Sequence, residues 1–260
     1  MDVKILFCIS FFLLTFHLAY GVRDIDIVTT ANSIPITISS SMKDVVFDGK
    51  WTFQREWKES SVAGFSAGEI RVAHFENFVY VLIDATSLTN FEKNSDRAMV
   101  CFDTKDDNST IPNSGDYCFT TTLGTNTPIT LQGDPNFPFN DNFKKISSPD
   151  GLIAVGGISD DMDRYTSIQH QSYEFKVPTD LIGRSDKYGF YVSIFDSHSN
   201  KIYSWPDMQL DSPLKIPSPK MWGVLWSPDK SLPEFTLPSV VMVTSFLVML
   251  YFFRFKINLR

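Results

Sequence analysis

Outside its two ends the chain alternates rather than spirals. Short runs of β-branched and aromatic residues are broken every few positions by Gly, Pro, Asn or Asp, and an apolar stripe of helical period is nearly absent. The pattern predicts strands near 34–38, 69–75, 78–85, 98–104, 117–123, 151–157, 172–178, 188–196 and 201–205. One of them, "FVYVLIDA" at 78–85, is apolar at nearly every position, so both of its faces need cover and it belongs in the middle of a sheet. "SHSN" (197–200) joins the last two as a four-residue hairpin turn. Many short strands with turn signals between them predict an all-β fold, an antiparallel β-sandwich. Two stretches interrupt the rhythm: 132–150, rich in Pro and Asn, and 206–220. Both read as long loops, of the kind that bind or stay irregular.

The ends are of another kind. Thr236 to Phe253 is 18 residues without a charge, with Pro238 in the first turn, where a helix tolerates it. As a helix the run spans roughly 27 Å, close to the ~30 Å hydrocarbon core of a bilayer. Arg254, Lys256 and Arg260 follow at once, which predicts a cytoplasmic C-terminus and an exterior remainder. At the other end Lys4 precedes an apolar stretch from Ile5 to Leu18, then Ala19 and Gly21, the layout of a secretory signal. The chain thus divides into a signal peptide (1–21), an N-terminal extension (22–43), a β-sandwich ligand-binding domain (44–226), a stalk (227–235), a transmembrane helix (236–253) and a basic cytoplasmic tail (254–260). The expectation is an exported, single-pass cell-surface protein held by membrane lipid.

Charge narrows the partners. The net charge is −7, and three of the cations lie in the tail, so the exterior part is more acidic still. That argues against nucleic acid, whose phosphates need a basic surface. Cys8 leaves with the signal. Cys101 and Cys118 remain, in the strand-like runs "RAMVCFDT" and "DYCFTTT", and predict one cross-strand disulfide in an oxidising compartment. Asn108-Ser109-Thr110, in the loop between them, is a glycosylation sequon.

Catalytic patterns are missing. His74, His170 and His198 stand in none of the nucleophile, metalloprotease or redox motifs, and no glycine-rich phosphate loop follows a strand. Carboxylates abound, but nothing selects two of them as a glycosidase pair. Binding without catalysis is the expectation. Of the five tryptophans, Trp51, Trp205 and Trp222 are candidates to stack on a sugar, since sugar sites join aromatic faces to a few polar groups. The same rings serve equally as core. The acidic loops "DPNFPFNDN" (134–142) and "SDDMD" (159–163) offer Asp134, Asn136, Asp141, Asp160 and Asp161 as oxygen ligands of the kind calcium takes, though neither has the spaced pattern of an EF-hand.

The order of segments resembles a superfamily of β-sandwiches that includes family 9 carbohydrate-binding modules, DOMON domains and haem-binding subunits related to ethylbenzene dehydrogenase. "VVFDGKWTFQREWKES" (45–60) is similar to its opening "DG…W", "ENFVYVLIDATS" (76–87) and "SDRAMVCFDT" (95–104) to two middle strands. "YEFKVPTDLIG…YGFYVSIFDSHSNKIYSWP" (173–206) resembles its closing strands, and "MWGVL" (221–225) its final W-G. The resemblance spans residues 44–226 and implies two alternative ligands. Sugar-binding members clasp a sugar between two tryptophans, here Trp205 and Trp222. Haem b-binding members use a Met ligand opposite Lys or His, for which Met99, Met162 and His170 are available. A structural or adhesion module without a small ligand is the third alternative. "PEF" at Pro233, Glu234 and Phe235, then an apolar run and basic residues, resembles the PEF-type sorting signals of archaeal surface proteins. It implies an archaeosortase as partner if the tail is cut rather than retained.

Overall fold

The computed structural model describes residues 32–52, 55–210, 212, 215–228 and 245. The predicted signal peptide, the Pro233-Glu234-Phe235 motif, the apolar run (Ser245 apart) and the basic tail lie outside the described residues. Among those described, no helix is long and apolar enough to cross a membrane.

Thirteen strands are described: β1 (Ser33–Pro35), β2 (Ser61–Phe65), β3 (Gly68–Phe75), β4 (Phe78–Ala85), β5 (Arg97–Asp103), β6 (Asp116–Thr122), β7 (Ile129–Gly133), β8 (Phe143–Ile146), β9 (Ile153–Ile158), β10 (Gln171–Pro178), β11 (Lys187–Asp196), β12 (Lys201–Trp205) and β13 (Gly223–Trp226). They form two sheets. The smaller runs β2-β3-β4-β10-β9, and the larger runs β1-β13-β11-β5-β6-β7-β8 with β12 added on β11. Strand β11 carries two neighbours along one edge, β13 against Lys187–Phe190 and β12 against Val192–Asp196. Pairing is antiparallel throughout except for β1 on β13.

Side chains alternate across each strand, and that alternation makes the core. Val79, Val81 and Ile83 of β4 and Phe175 of β10 meet Val100, Phe102, Phe119, Phe190 and Val192 of the larger sheet in one buried cluster. Tyr80 and Leu82, the intervening residues of β4, lie under Met42, Trp51 and Trp57. Strand β4 is therefore central and covered on both faces, as its apolar run predicts. The larger sheet also has a covered outer face, where Cys101, Cys118, Leu131, Phe143 and Tyr191 pack with Ile216 and Trp222. Cys101 and Cys118 are direct partners across β5 and β6, with Cα atoms 4.1 Å apart, and are bonded as a disulfide.

Three departures from the sequence reading have physical causes. Residues 132–150 are not one irregular insert: β8 lies inside them and pairs with β7 at the open edge of the larger sheet, where "FKKI" suits an edge that must discourage further pairing. Strands β2 and β13 carry Gly and little β-branched character, and neighbouring strands supply their order. The N-terminal segment enters both sheets, Ser33–Pro35 beside β13 and Ile38 bridging to His74, so the sandwich draws on residues ahead of 44.

Candidate functional site

The outer face of the smaller sheet is where polar groups gather. Strand register sets Glu69, Asp84 and Ser172 in one row across β3, β4 and β10, with Arg71, Leu82 and Glu174 in the next. Two segments roof this face, the loop before β2 and the loop between β9 and β10.

The first roof is clipped on by Glu174. Its carboxylate accepts the Gly49 N–H (2.8 Å) and the Trp57 indole N–H (3.0 Å). Burial pushes this carboxyl up to about 8 in spite of both donors. Gly49 has φ +82 and sits against β9, where a Cβ would come within 2.5 Å of the Gly157 nitrogen. Glu56, also buried, accepts the Val46 and Thr52 N–H groups at 3.0 and 2.8 Å. The "DG", "W" and "YEF" segments quoted above thus converge in one hydrogen-bonded knot, and their shared role is to fold the roof down.

Beside the knot is an open depression of about 480 Å³. Val155 to Ile158 of edge strand β9 line it, together with Asp48, Lys93, Thr125 and Asn126. Its surface mixes backbone-thin glycine and aliphatic groups with amide, hydroxyl, carboxylate and ammonium groups.

Under the second roof His170, Asp84 and Asp163 meet. His170 Nε2 is 2.5 Å from Asp84 Oδ1 and 3.9 Å from Asp163 Oδ2, and all three side chains are buried. His170 Nδ1 lies 2.8 Å from both the Ile168 carbonyl and the Ser159 hydroxyl. A carbonyl only accepts, so Nδ1 holds the hydrogen and Nε2 faces the carboxylates. Burial raises the Asp84 carboxyl against the pull of His170. Burial alone would lower His170, but the hydrogen bond and charge of Asp84 outweigh it and raise the imidazole. One proton is held between Nε2 and Oδ1. Asp84 Oδ2, Asp163 Oδ2 and Ser172 Oγ are buried with no hydrogen-bond partner among the described residues.

The residues singled out from sequence are scattered. Trp205 and Trp222 occupy opposite faces of the larger sheet: Trp205 is 7% exposed against Phe190 in the inner core, Trp222 is 6% exposed in the outer cluster. Two rings so placed form no clasp. Trp51 is buried under the Arg71 guanidinium, 4.9 Å from its ring centre, and edge-on to Tyr165. Among the haem donors, Met99 packs in the outer apolar cluster of the larger sheet, Met162 is 72% exposed, and His170 faces two carboxylates. The structure does not assemble them around one cavity.

The proposed calcium ligands are also engaged apart. Asp134 pairs with Lys144 (2.9 Å), whose ammonium holds its carboxyl below the usual range, and it accepts the Asn136 N–H. Asp141 accepts the Ile216 N–H (2.8 Å), Asp160 pairs with Lys50, and Asp161 is exposed. Asn108 is exposed on the β5–β6 connection. Sequence reasoning named His170 as a haem-ligand candidate and did not name Asp84 and Asp163, the two carboxylates it faces. The available signal was a lone Asp in an otherwise apolar strand.

No family model and no curated protein matches the chain. Among solved structures, a family 9 carbohydrate-binding module from Caldicellulosiruptor kristjanssonii in complex with cellotriose is similar at 12% identity and a TM-score of 0.45, covering 75% of this chain and 93% of that one. The same kind of module from that organism in complex with glucose gives 12% identity, a TM-score of 0.46, and 75% and 95% coverage.

Proposed function

We propose that this chain is a non-catalytic carbohydrate-binding module, exported and held at the cell surface by its C-terminal apolar segment, which takes neutral glycan in the depression beside β9. The observation that carries this reading is the lining of that depression. Thr125, Asn126, Asp48 and Lys93 offer both donors and acceptors to hydroxyl groups, while Val155, Ile158 and the bare glycine backbone offer a surface for C–H groups. The order of motifs over 44–226 supports the same class. The Cys101–Cys118 disulfide supports an oxidising, exterior location. The acidic exterior favours neutral over acidic polysaccharide.

The test is calorimetric titration of the full-length protein with a panel of neutral oligosaccharides, alongside an Asn126→Ala/Lys93→Ala double variant. Both side chains are exposed, so the variant keeps its fold. Binding by the parent and its loss in the variant are expected. A panel without any binder, binding that survives the double change, or the visible absorbance of bound haem would each overturn the reading.

A further inference from the structure

We propose that Asp84, Asp163 and His170 form a binding site for one first-row divalent cation of the zinc type. The site rests on different residues from the glycan depression, and neither reading depends on the other.

The donors are arranged as a metal would need them. A metal-binding histidine usually gives its second ring N–H to a backbone carbonyl or carboxylate, which fixes its tautomer and aims the free nitrogen. His170 does this through Nδ1 and the Ile168 carbonyl, 2.8 Å away. Asp163 is aimed as well: its Oδ1 accepts the Tyr165 and Thr166 N–H groups at 2.8 and 3.1 Å, which leaves Oδ2 to the interior. A third element, β4, supplies Asp84.

The unmet groups make the case. Buried polar atoms are nearly always hydrogen-bonded, and a buried carboxylate oxygen without a partner is costly. Here Asp84 Oδ2, Asp163 Oδ2 and the neighbouring Ser172 Oγ all lack one among the described residues; strand register sets Asp84 beside Ser172, and the loop brings Asp163 to them. One dication answers both carboxylates. On entry it displaces to solvent the proton between Nε2 and Asp84 Oδ1, and their 2.5 Å contact opens so that Nε2 and the Asp84 carboxylate, Oδ2 included, can turn to a metal about 2.0–2.2 Å away.

The donor set chooses the metal. Calcium seeks six to eight oxygens, and this site offers one imidazole nitrogen and two carboxylates in a closed interior. Imidazole with carboxylate suits zinc and its first-row neighbours, which accept three protein ligands and a fourth from elsewhere. Because Asp163 belongs to the 159–170 loop and Asp84 to the sheet, the cation ties this roof down.

Full-length protein stripped with a chelator and titrated with zinc chloride tests the assignment. One equivalent is expected to bind, with proton release, and Asp163→Asn should weaken binding by at least about tenfold, the scale on which even outer partners of a metal matter. Asp160→Asn, which removes the charge that pairs with Lys50 and keeps an oxygen for the Met162 N–H, should leave zinc affinity unchanged. Hydrogen exchange of the parent, which needs no variant, should slow in residues 159–170 when zinc is added. No zinc binding, an undiminished Asp163→Asn variant, equal losses in Asp160→Asn, or a preference for calcium would each overturn the proposal.

Discussion

The sandwich has two roofed outer faces, and they are built from opposite chemistry. Over the larger sheet the cover is apolar: Trp222 stacks between Phe143 and Tyr191 above the disulfide, and its one polar atom bonds locally to the Pro217 carbonyl at 2.9 Å. Over the smaller sheet the cover is held by buried polar and ionisable groups, through Glu174, Glu56, Arg71 and the His170–Asp84 pair. An apolar roof needs only shape and area removed from water. A polar roof must satisfy each group one by one, and several groups left over together mark a place where something else fits. That is why the candidate cation site lies under the second roof, while the larger sheet's roof reads as packing.

The largest expected effect is on the apolar side. Trp222→Ala should cost about 3–5 kcal/mol in urea unfolding, the usual range for emptying a buried aromatic site, while glycan and zinc binding persist in the folded protein. Loss of either binding at full foldedness would show that the two faces are not separate. Replacing both Cys101 and Cys118 by Ala should cost about 3 kcal/mol, since the bridge closes a loop of sequence separation 17. An unchanged denaturation midpoint would contradict this.

The polar side should answer to pH. Glu174 holds its proton up to about 8 when folded, against a reference value of 4.5, so between these values the folded state binds a proton that the unfolded chain has released. Stability should therefore fall as pH rises from about 4.5 to about 8, by roughly 1.4 kcal/mol per unit at most. Asp116, pushed up to about 7 by burial, adds a slope of the same sign. Glu174→Gln should cost about 1–3 kcal/mol by misplacing a donor against a donor, and should lessen the slope without abolishing it. A slope identical to the parent's would rule Glu174 out as its source. The smallest effect is expected of Tyr165→Phe, which takes the hydroxyl of a half-exposed side chain away from Arg71 and should cost at most about 1 kcal/mol.

What the chain disclosed in advance follows the same division. The central strand at 78–85, the hairpin turn at 197–200 and the Cys101–Cys118 bridge rest on local patterns, namely a continuous apolar run, turn residues and two cysteines set in neighbouring strand-like runs. Strand β8 has no such local pattern, because two lysines in "FKKI" acquire strand geometry only from pairing with β7. The tryptophans were ambiguous because ring chemistry serves core and ligand alike, and only the fold puts Trp205 in the inner core and Trp222 in the outer cluster. Asp84 is far in sequence from Asp163 and His170, which share the β9–β10 loop, so the meeting of the three depends on how that loop folds back over β4. Nothing local marks which of thirty carboxylates will be buried together.

The most direct test of glycan binding is amide NMR of the labelled full-length protein during titration with the neutral oligosaccharide that binds best. We expect shifts confined to Thr125, Asn126 and Gly156–Gly157 around the depression, with the amides beside Trp222 unmoved. Shifts centred on the Trp222 face, or no shifts with any neutral glycan, would contradict the assignment of this module to sugar binding at β9.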